Sequence, residues 1–164
     1  MRKLLYAAVF TLICAGVLVV ARGSQAASDE AVKAPAPAEI SGVWKGYLYP
    51  QVGAQVRVYA VFVASENGLA VKLLTPSSPW VEDSQALCIL AEAAECSKAV
   101  TFSEVSGLLP LTQAQGAYAS AETPSGELIK ISGDAQKLRF SLKKGGLAGS
   151  VQEFTGVLDT HLKA

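Results

Sequence analysis

The feature that most constrains this chain is a strict two-residue alternation near its C-terminal end. In residues 137–143, Leu138, Phe140 and Leu142 alternate with Lys137, Arg139, Ser141 and Lys143. Successive strand side chains point to opposite faces, so this segment reads as a strand with one buried and one solvated face. Such strands belong to antiparallel sheets, because parallel sheets are covered on both sides. Similar short segments recur at 43–49, 55–64, 69–74, 99–105, 116–121, 127–131 and 150–158. Turn residues separate them. Ser65-Glu66-Asn67-Gly68 holds Asn-Gly, the strongest short hairpin signal, since both residues tolerate positive φ. Pro124-Ser125-Gly126, Ser132-Gly133-Asp134 and Lys144-Gly145-Gly146 mark further turns. About eight strands at this spacing predict an all-β fold, a sandwich or a small antiparallel barrel, and consecutive hairpins favour the up-and-down barrel. Candidate interior residues are Val56, Val58, Phe62, Val71, Leu73, Phe102, Leu138, Phe140 and Phe154.

One segment departs from the pattern. Residues 84–98 are rich in Ala and Glu, and Leu87, Leu90, Ala91 and Ala94 fall at helical spacing. Asp83 or Ser84 suits the cap. The segment also holds Cys88 and Cys96. Eight residues of continuous helix rise ~12 Å, whereas a disulfide needs Cα atoms within ~7 Å. A straight helix through both cysteines and a Cys88–Cys96 disulfide therefore exclude each other. In an oxidising compartment paired thiols are the rule, so a disulfide with a short helical turn near 84–95 is expected. Two buried free thiols are the alternative.

The compartment follows from the N-terminus. Arg2 and Lys3 precede an uncharged apolar run from Leu4 to Ala21, and Ser24 and Ala26 suit a cleavage point before Ala27. This is the anatomy of an export signal. The run also reaches the ~18 residues of a membrane span, so a retained signal-anchor is the rival. Either way Arg2 and Lys3 stay in the cytoplasm and the rest is exported, periplasmic or secreted. A lipid-modified Cys14 is set aside, because Ile13 precedes it and apolar residues continue beyond it. The expected organisation is a signal peptide or anchor at 1–26, an Ala/Pro linker at 27–40, a β-barrel domain at 41–160 and a tail at 161–164.

Charge and residue inventory narrow the function. The chain of 164 residues has 14 basic and 14 acidic side chains. Loss of 1–26 removes Arg2, Lys3 and Arg22 and no acidic residue, leaving eleven against fourteen, or −3. That argues against nucleic acid as a partner, which attracts basic surfaces. Apolar residues at 51% and charged ones at 17% exclude a disordered chain. The one histidine, His161, falls in the expected tail, away from any Ser–His–Asp arrangement. Two mature cysteines and a distant histidine do not make a zinc site. Ser141-Leu142-Lys143-Lys144 has the S-x-x-K spacing, but on a strand rather than a helix and without its partner motifs. Gly145-Gly146-Leu147-Ala148-Gly149 follows a strand but opens no helix, so it reads as a turn rather than a phosphate loop. Glu82-Asp83 reads as a solvated pair or a helix cap. No enzyme activity, cofactor or metal is expected.

Two aromatic motifs point toward binding. Trp80 ends the Pro-flanked loop Thr75-Pro76-Ser77-Ser78-Pro79-Trp80. It either plugs one end of the core or stands exposed as a rigid contact anchor. Gly42-Val43-Trp44 opens the first strand, and this G-x-W start resembles the lipocalins and related calycin barrels. The resemblance implies an eight-stranded barrel whose Trp44 lies at the closed end, with Arg139 from a late strand packed over it as a cation on an aromatic face. It also implies a small apolar ligand held inside, contacting Trp44, Phe62, Phe102 and Phe140. Such a site needs a continuous cavity of at least ~300 Å³; a solidly packed interior excludes it. The alternative function is an envelope protein–protein interaction module or inhibitor using the Trp80 loop. The membrane is a partner only through an uncleaved N-terminal segment.

Overall fold

The computed structural model describes residues 34–65, 68–90, 100–146 and 150–163. The expectations for 1–26 and for Cys96 fall outside these residues. Among these residues nine strands run in chain order: β1 (Gly42–Pro50), β2 (Val56–Ser65), β3 (Gly68–Pro76), β4 (Phe102–Glu104), β5 (Leu109–Ala114), β6 (Ala117–Ser120), β7 (Leu128–Gly133), β8 (Leu138–Gly145) and β9 (Val151–Leu162). Among the described residues two helices accompany them, α1 (Pro37–Ile40) and α2 (Asp83–Leu90). All pairings are antiparallel and join chain neighbours except that β3 also pairs with β5, and β1 pairs with both β2 and β9. That last pairing closes the sheet, so the fold is an eight-position up-and-down barrel.

Nine strands fill eight positions because β4 and β5 share one. Both lie against β3, β4 opposite Leu74–Pro76 and β5 opposite Leu69–Val71. β5 over Leu109–Ala114 is a strand beyond those expected, between the segments 99–105 and 116–121. Pro110, which cannot donate to a ladder, hid β5. Here Pro110 faces out while Leu109 and Leu111 are buried. The break between β4 and β5 is repaired locally. The N–H groups of Val105 and Ser106 both donate to the Leu73 carbonyl, at 2.8 and 3.2 Å. The Leu73 N–H donates to the buried Ser106 Oγ at 3.1 Å. A hydroxyl thus replaces the missing ladder partner, as buried backbone groups require.

The interior follows the period-2 rule around the ring. Trp44 and Leu48, Val58, Ala60 and Phe62, Leu69, Val71 and Leu73, Leu109 and Leu111, Ile129 and Ile131, and Leu138, Phe140 and Leu142 form one buried cluster with Tyr118 and Leu158. Two glycines make room for it. A Cβ on Gly156 would overlap the Phe140 ring, and one on Gly46 would overlap the Val157 carbonyl. Gly46 sits where the β1–β9 register shifts, and close strand approach at such an irregularity favours glycine. Two candidate interior residues lie elsewhere. Val56 reaches solvent at the strand end. Phe102 lies outside the barrel, in the cluster beneath α2.

The expected linker and tail both extend the barrel. Ala34 and Ile40 are buried in the interior cluster. Pro37 sits at the start of α1, where its missing N–H costs nothing. The Tyr118 hydroxyl donates to the Pro35 carbonyl at 2.6 Å. The 34–40 segment therefore seals one end. At the other terminus β9 continues through Leu162, so 161–164 is not wholly a tail.

Candidate functional site

The sealed end explains the G-x-W motif. Gly42 has φ +112°, a region that residues with a Cβ rarely adopt. Its missing Cβ leaves space beside His161, whose Nε2 would be 3.1 Å away. His161 stacks on Trp44, with ring centroids 4.6 Å apart and planes 7° apart. Its Nε2–H donates to the Ser41 carbonyl at 3.0 Å. The Trp44 Nε1–H donates to the Ile40 carbonyl at 2.9 Å. Arg139 does not take the position implied for it. It lies between the inward Leu138 and Phe140, so period 2 turns it outward, and it is exposed. The ring over Trp44 belongs to His161, a residue of the expected tail.

The five residues expected at a binding site lie in three places. Trp44, Phe62 and Phe140 belong to the interior cluster. Trp44, Val58, Ala60, Val71, Leu73, Ile129, Leu138, Leu142 and Leu158 all have 0% exposure. Side chains lining a hollow would retain water-accessible surface, so the described interior is filled by side chains, one of the two outcomes for a small barrel. At the mouth, Lys144 Nζ donates to the Val105 carbonyl at 2.9 Å and pairs with Glu127 at 3.4 Å. Phe102 packs outside, edge-on to Tyr59 with centroids 5.6 Å apart. Trp80 is 87% exposed.

Two cavities among the described residues lie on the outside of the sheet. A groove of about 690 Å³ between α2 and strands β2–β4 is lined by Val61, Val63, Leu74, Leu90, Phe102 and Leu108, with Lys72 at its edge. Lys72 is paired with Glu104. A recess of about 560 Å³ lies over β7, β8, β9 and the end of β1. α2 is fixed to the sheet through Val81 and Ala86, which pack on Val43 and Tyr59. Lys45 Nζ meets Asp83 Oδ2 at 2.6 Å, and Arg57 Nη1 donates to the Val81 carbonyl at 3.3 Å.

The loop carrying Trp80 is held at both ends. Ser77 N–H donates to the Thr101 carbonyl at 2.9 Å, and Thr101 N–H donates to Ser77 Oγ at 3.3 Å. Trp80 N–H donates to Ser78 Oγ at 3.3 Å. Val81, the next residue, is buried. The indole is thus presented on a braced backbone. Val52, Val56 and Val151 are also exposed. They belong to the β1–β2 loop and the strand ends at the same barrel end from which the Trp80 loop leaves β3. Val52 and Val151 line a shared recess of about 250 Å³.

Three groups among the described residues titrate away from their ordinary range. Burial raises the Tyr59 phenol, partly opposed by the nearby Arg57 charge. Burial also raises Tyr118, helped by the Glu39 charge. The N–H groups of Gln136 and Lys137, each 2.8 Å from Asp134 Oδ1, hold that carboxyl below its usual value. Among the described residues, no helix is long and apolar enough to cross a membrane, and no three His, Cys, Asp or Glu side chains converge as metal ligands would. No family model matches this chain, and no curated protein matches it.

Proposed function

We propose that this chain is an exported, non-enzymatic binding module of lipocalin-like build, and that it engages a protein partner through the loop end of its barrel. One observation carries the reading: Trp80, Val52, Val56 and Val151 expose large apolar surface at that end, while α1 seals the other. Exposed apolar patches mark interaction sites, and tryptophan is the commonest energetic anchor of such sites. The braced backbone around Trp80 limits the entropy lost on docking. Export rests on the basic start and apolar run of residues 1–26. A Cys88–Cys96 disulfide belongs to the same reading: Cys88 is engaged rather than free, and such a bond would pin the long connection between β3 and β4.

The test is partner capture from the envelope fraction by the wild-type chain and by Trp80→Ala, Val52→Ser and Gln113→Ala variants. The exposed Gln113 on β5 is the control. Loss of about 1–3 kcal/mol of binding with Trp80→Ala alone is the hot-spot result. Equal capture by all four chains would sink the reading. A second reading, capture of a small apolar ligand, is supported by the groove beside α2, whose volume suits one. A bound small molecule displaced by Phe102→Ala, with capture of protein unaffected by Trp80→Ala, would favour that reading instead.

A further inference from the structure

The outer face of β7, β8 and β9 carries an arrangement that neither stability nor the loop end explains. The strand register sets two cross-strand rows side by side. One runs Lys130, Ser141, Thr155, Tyr49, and the other runs Ser132, Arg139, Val157, Tyr47. Except for Tyr47, these residues line the recess of about 560 Å³. Lys130 and Arg139 sit diagonally across the β7–β8 pair, a spacing of roughly 7–8 Å. Like charges directly opposite destabilise a sheet; these two, diagonal and exposed, repel more weakly through solvent but together make a local positive field.

No acid faces them. Elsewhere on this barrel lysines meet carboxylates: Lys143 meets Glu153 at 3.1 Å, Lys144 meets Glu127 at 3.4 Å, and Lys45 meets Asp83 at 2.6 Å. Among the described residues, Lys130 and Arg139 are in no ion pair, and no acidic side chain lines the recess. The nearby carboxylates lie outside the recess and have other partners: Glu153 meets Lys143, Asp134 accepts from backbone N–H groups of its own turn, and Asp159, diagonal to Arg139 on β9, accepts from the Thr160 hydroxyl at 3.0 Å. The exposed hydroxyls of Ser132, Ser141 and Thr155 make no hydrogen bond within the described protein. Tyr49, 42% exposed, and Val157 supply an apolar wall.

We infer that this recess binds an anionic saccharide. The two cations suit carboxylates carried on a sugar backbone, and Arg139 can hold one in a bidentate pair. The three hydroxyls suit sugar hydroxyls. The Tyr49 ring and Val157 suit the C–H face of a pyranose. The recess volume falls within the ~300–1,000 Å³ of small-molecule sites. A module whose mature charge balance is −3 would not collect polyanions at random, so the uncompensated pair focuses attraction on one face.

The test is calorimetric titration of the full chain with trigalacturonic acid, with maltotriose as the neutral sugar and inorganic phosphate as the bare anion. Trigalacturonate should bind while the other two bind at least tenfold more weakly. A Lys130→Gln/Arg139→Gln double variant should lose at least tenfold, Tyr49→Ala should lose severalfold, and Lys163→Gln should bind as wild type. All substituted positions are on the surface, and thermal melts would confirm an intact fold. Equal binding of phosphate and trigalacturonate would reduce the recess to an unspecific anion patch. Equal binding of maltotriose would remove the role of the cations. No binding of trigalacturonate at millimolar concentration, or unchanged binding by the double variant, would overturn the proposal.

Discussion

Two buried tyrosines should respond to the same substitution with opposite signs. The Tyr59 side chain has no exposed surface, and its hydroxyl, although the Arg57 guanidinium is close by, makes no hydrogen bond of good geometry. The Tyr118 hydroxyl is also buried but donates to the Pro35 carbonyl at 2.6 Å. Leaving a polar group buried and unpaired costs about 1–3 kcal/mol, and a satisfied bond contributes about 0.5–1.5 kcal/mol. Tyr59→Phe should therefore stabilise the domain by about 1 kcal/mol. Tyr118→Phe should destabilise it by about 1–2 kcal/mol, because it also strands the Pro35 carbonyl and loosens the 34–40 segment. Urea unfolding measures both. For a slope of about 2 kcal/mol/M, the midpoints should move by roughly 0.5 M in opposite directions. The alkaline limb gives an independent check. Both phenols have folded pKa values above their unfolded value. Their contribution is therefore complete below about pH 10 and is lost as pH rises through the folded pKa. Tyr59→Phe should flatten that loss. A destabilised Tyr59→Phe protein, or an unchanged alkaline limb, would refute the reasoning.

His161→Ala removes the stack on Trp44 and the bond to Ser41 and should cost about 1–2 kcal/mol, with a changed Trp fluorescence; a neutral result would return His161 to the solvent. Gly46→Ala drives a methyl into the Val157 carbonyl and should cost more than about 3 kcal/mol, read as a fall in melting temperature. Asp83→Asn breaks the partly exposed pair with Lys45 and should cost less than about 1 kcal/mol, leaving the far-ultraviolet helical signal of α2 in place.

The alternation at 137–143 carried most of the fold to the page, because a half-buried strand writes its two faces into neighbouring residues. β5 escaped because Pro110 argues against a strand locally; the strand tolerates it where the β5–β6 ladder begins only at Leu111, one residue beyond it. α1 escaped because Ala and Pro look the same in a spacer and in a short plug; Ile40 was the one large apolar residue there. His161 escaped for a different reason. Its partner Trp44 is more than one hundred residues away, and the local signal for the contact is a glycine, Gly42, whose positive φ the sequence does not print. Trp80 was legible as a candidate, but its exposure was not. The cation pair of Lys130 and Arg139 depends on strand register, which pairs β7 with β8 and cannot be read along either strand alone.

Native mass spectrometry of the full chain purified from its own envelope fraction bears most directly on the account. The wild-type chain should carry a protein partner, lose about 2 Da relative to its reduced form if Cys88 and Cys96 are joined, and lose the partner with Trp80→Ala. A protein that carries only a small molecule, or that keeps its partner equally well without Trp80, would contradict binding through the loop end.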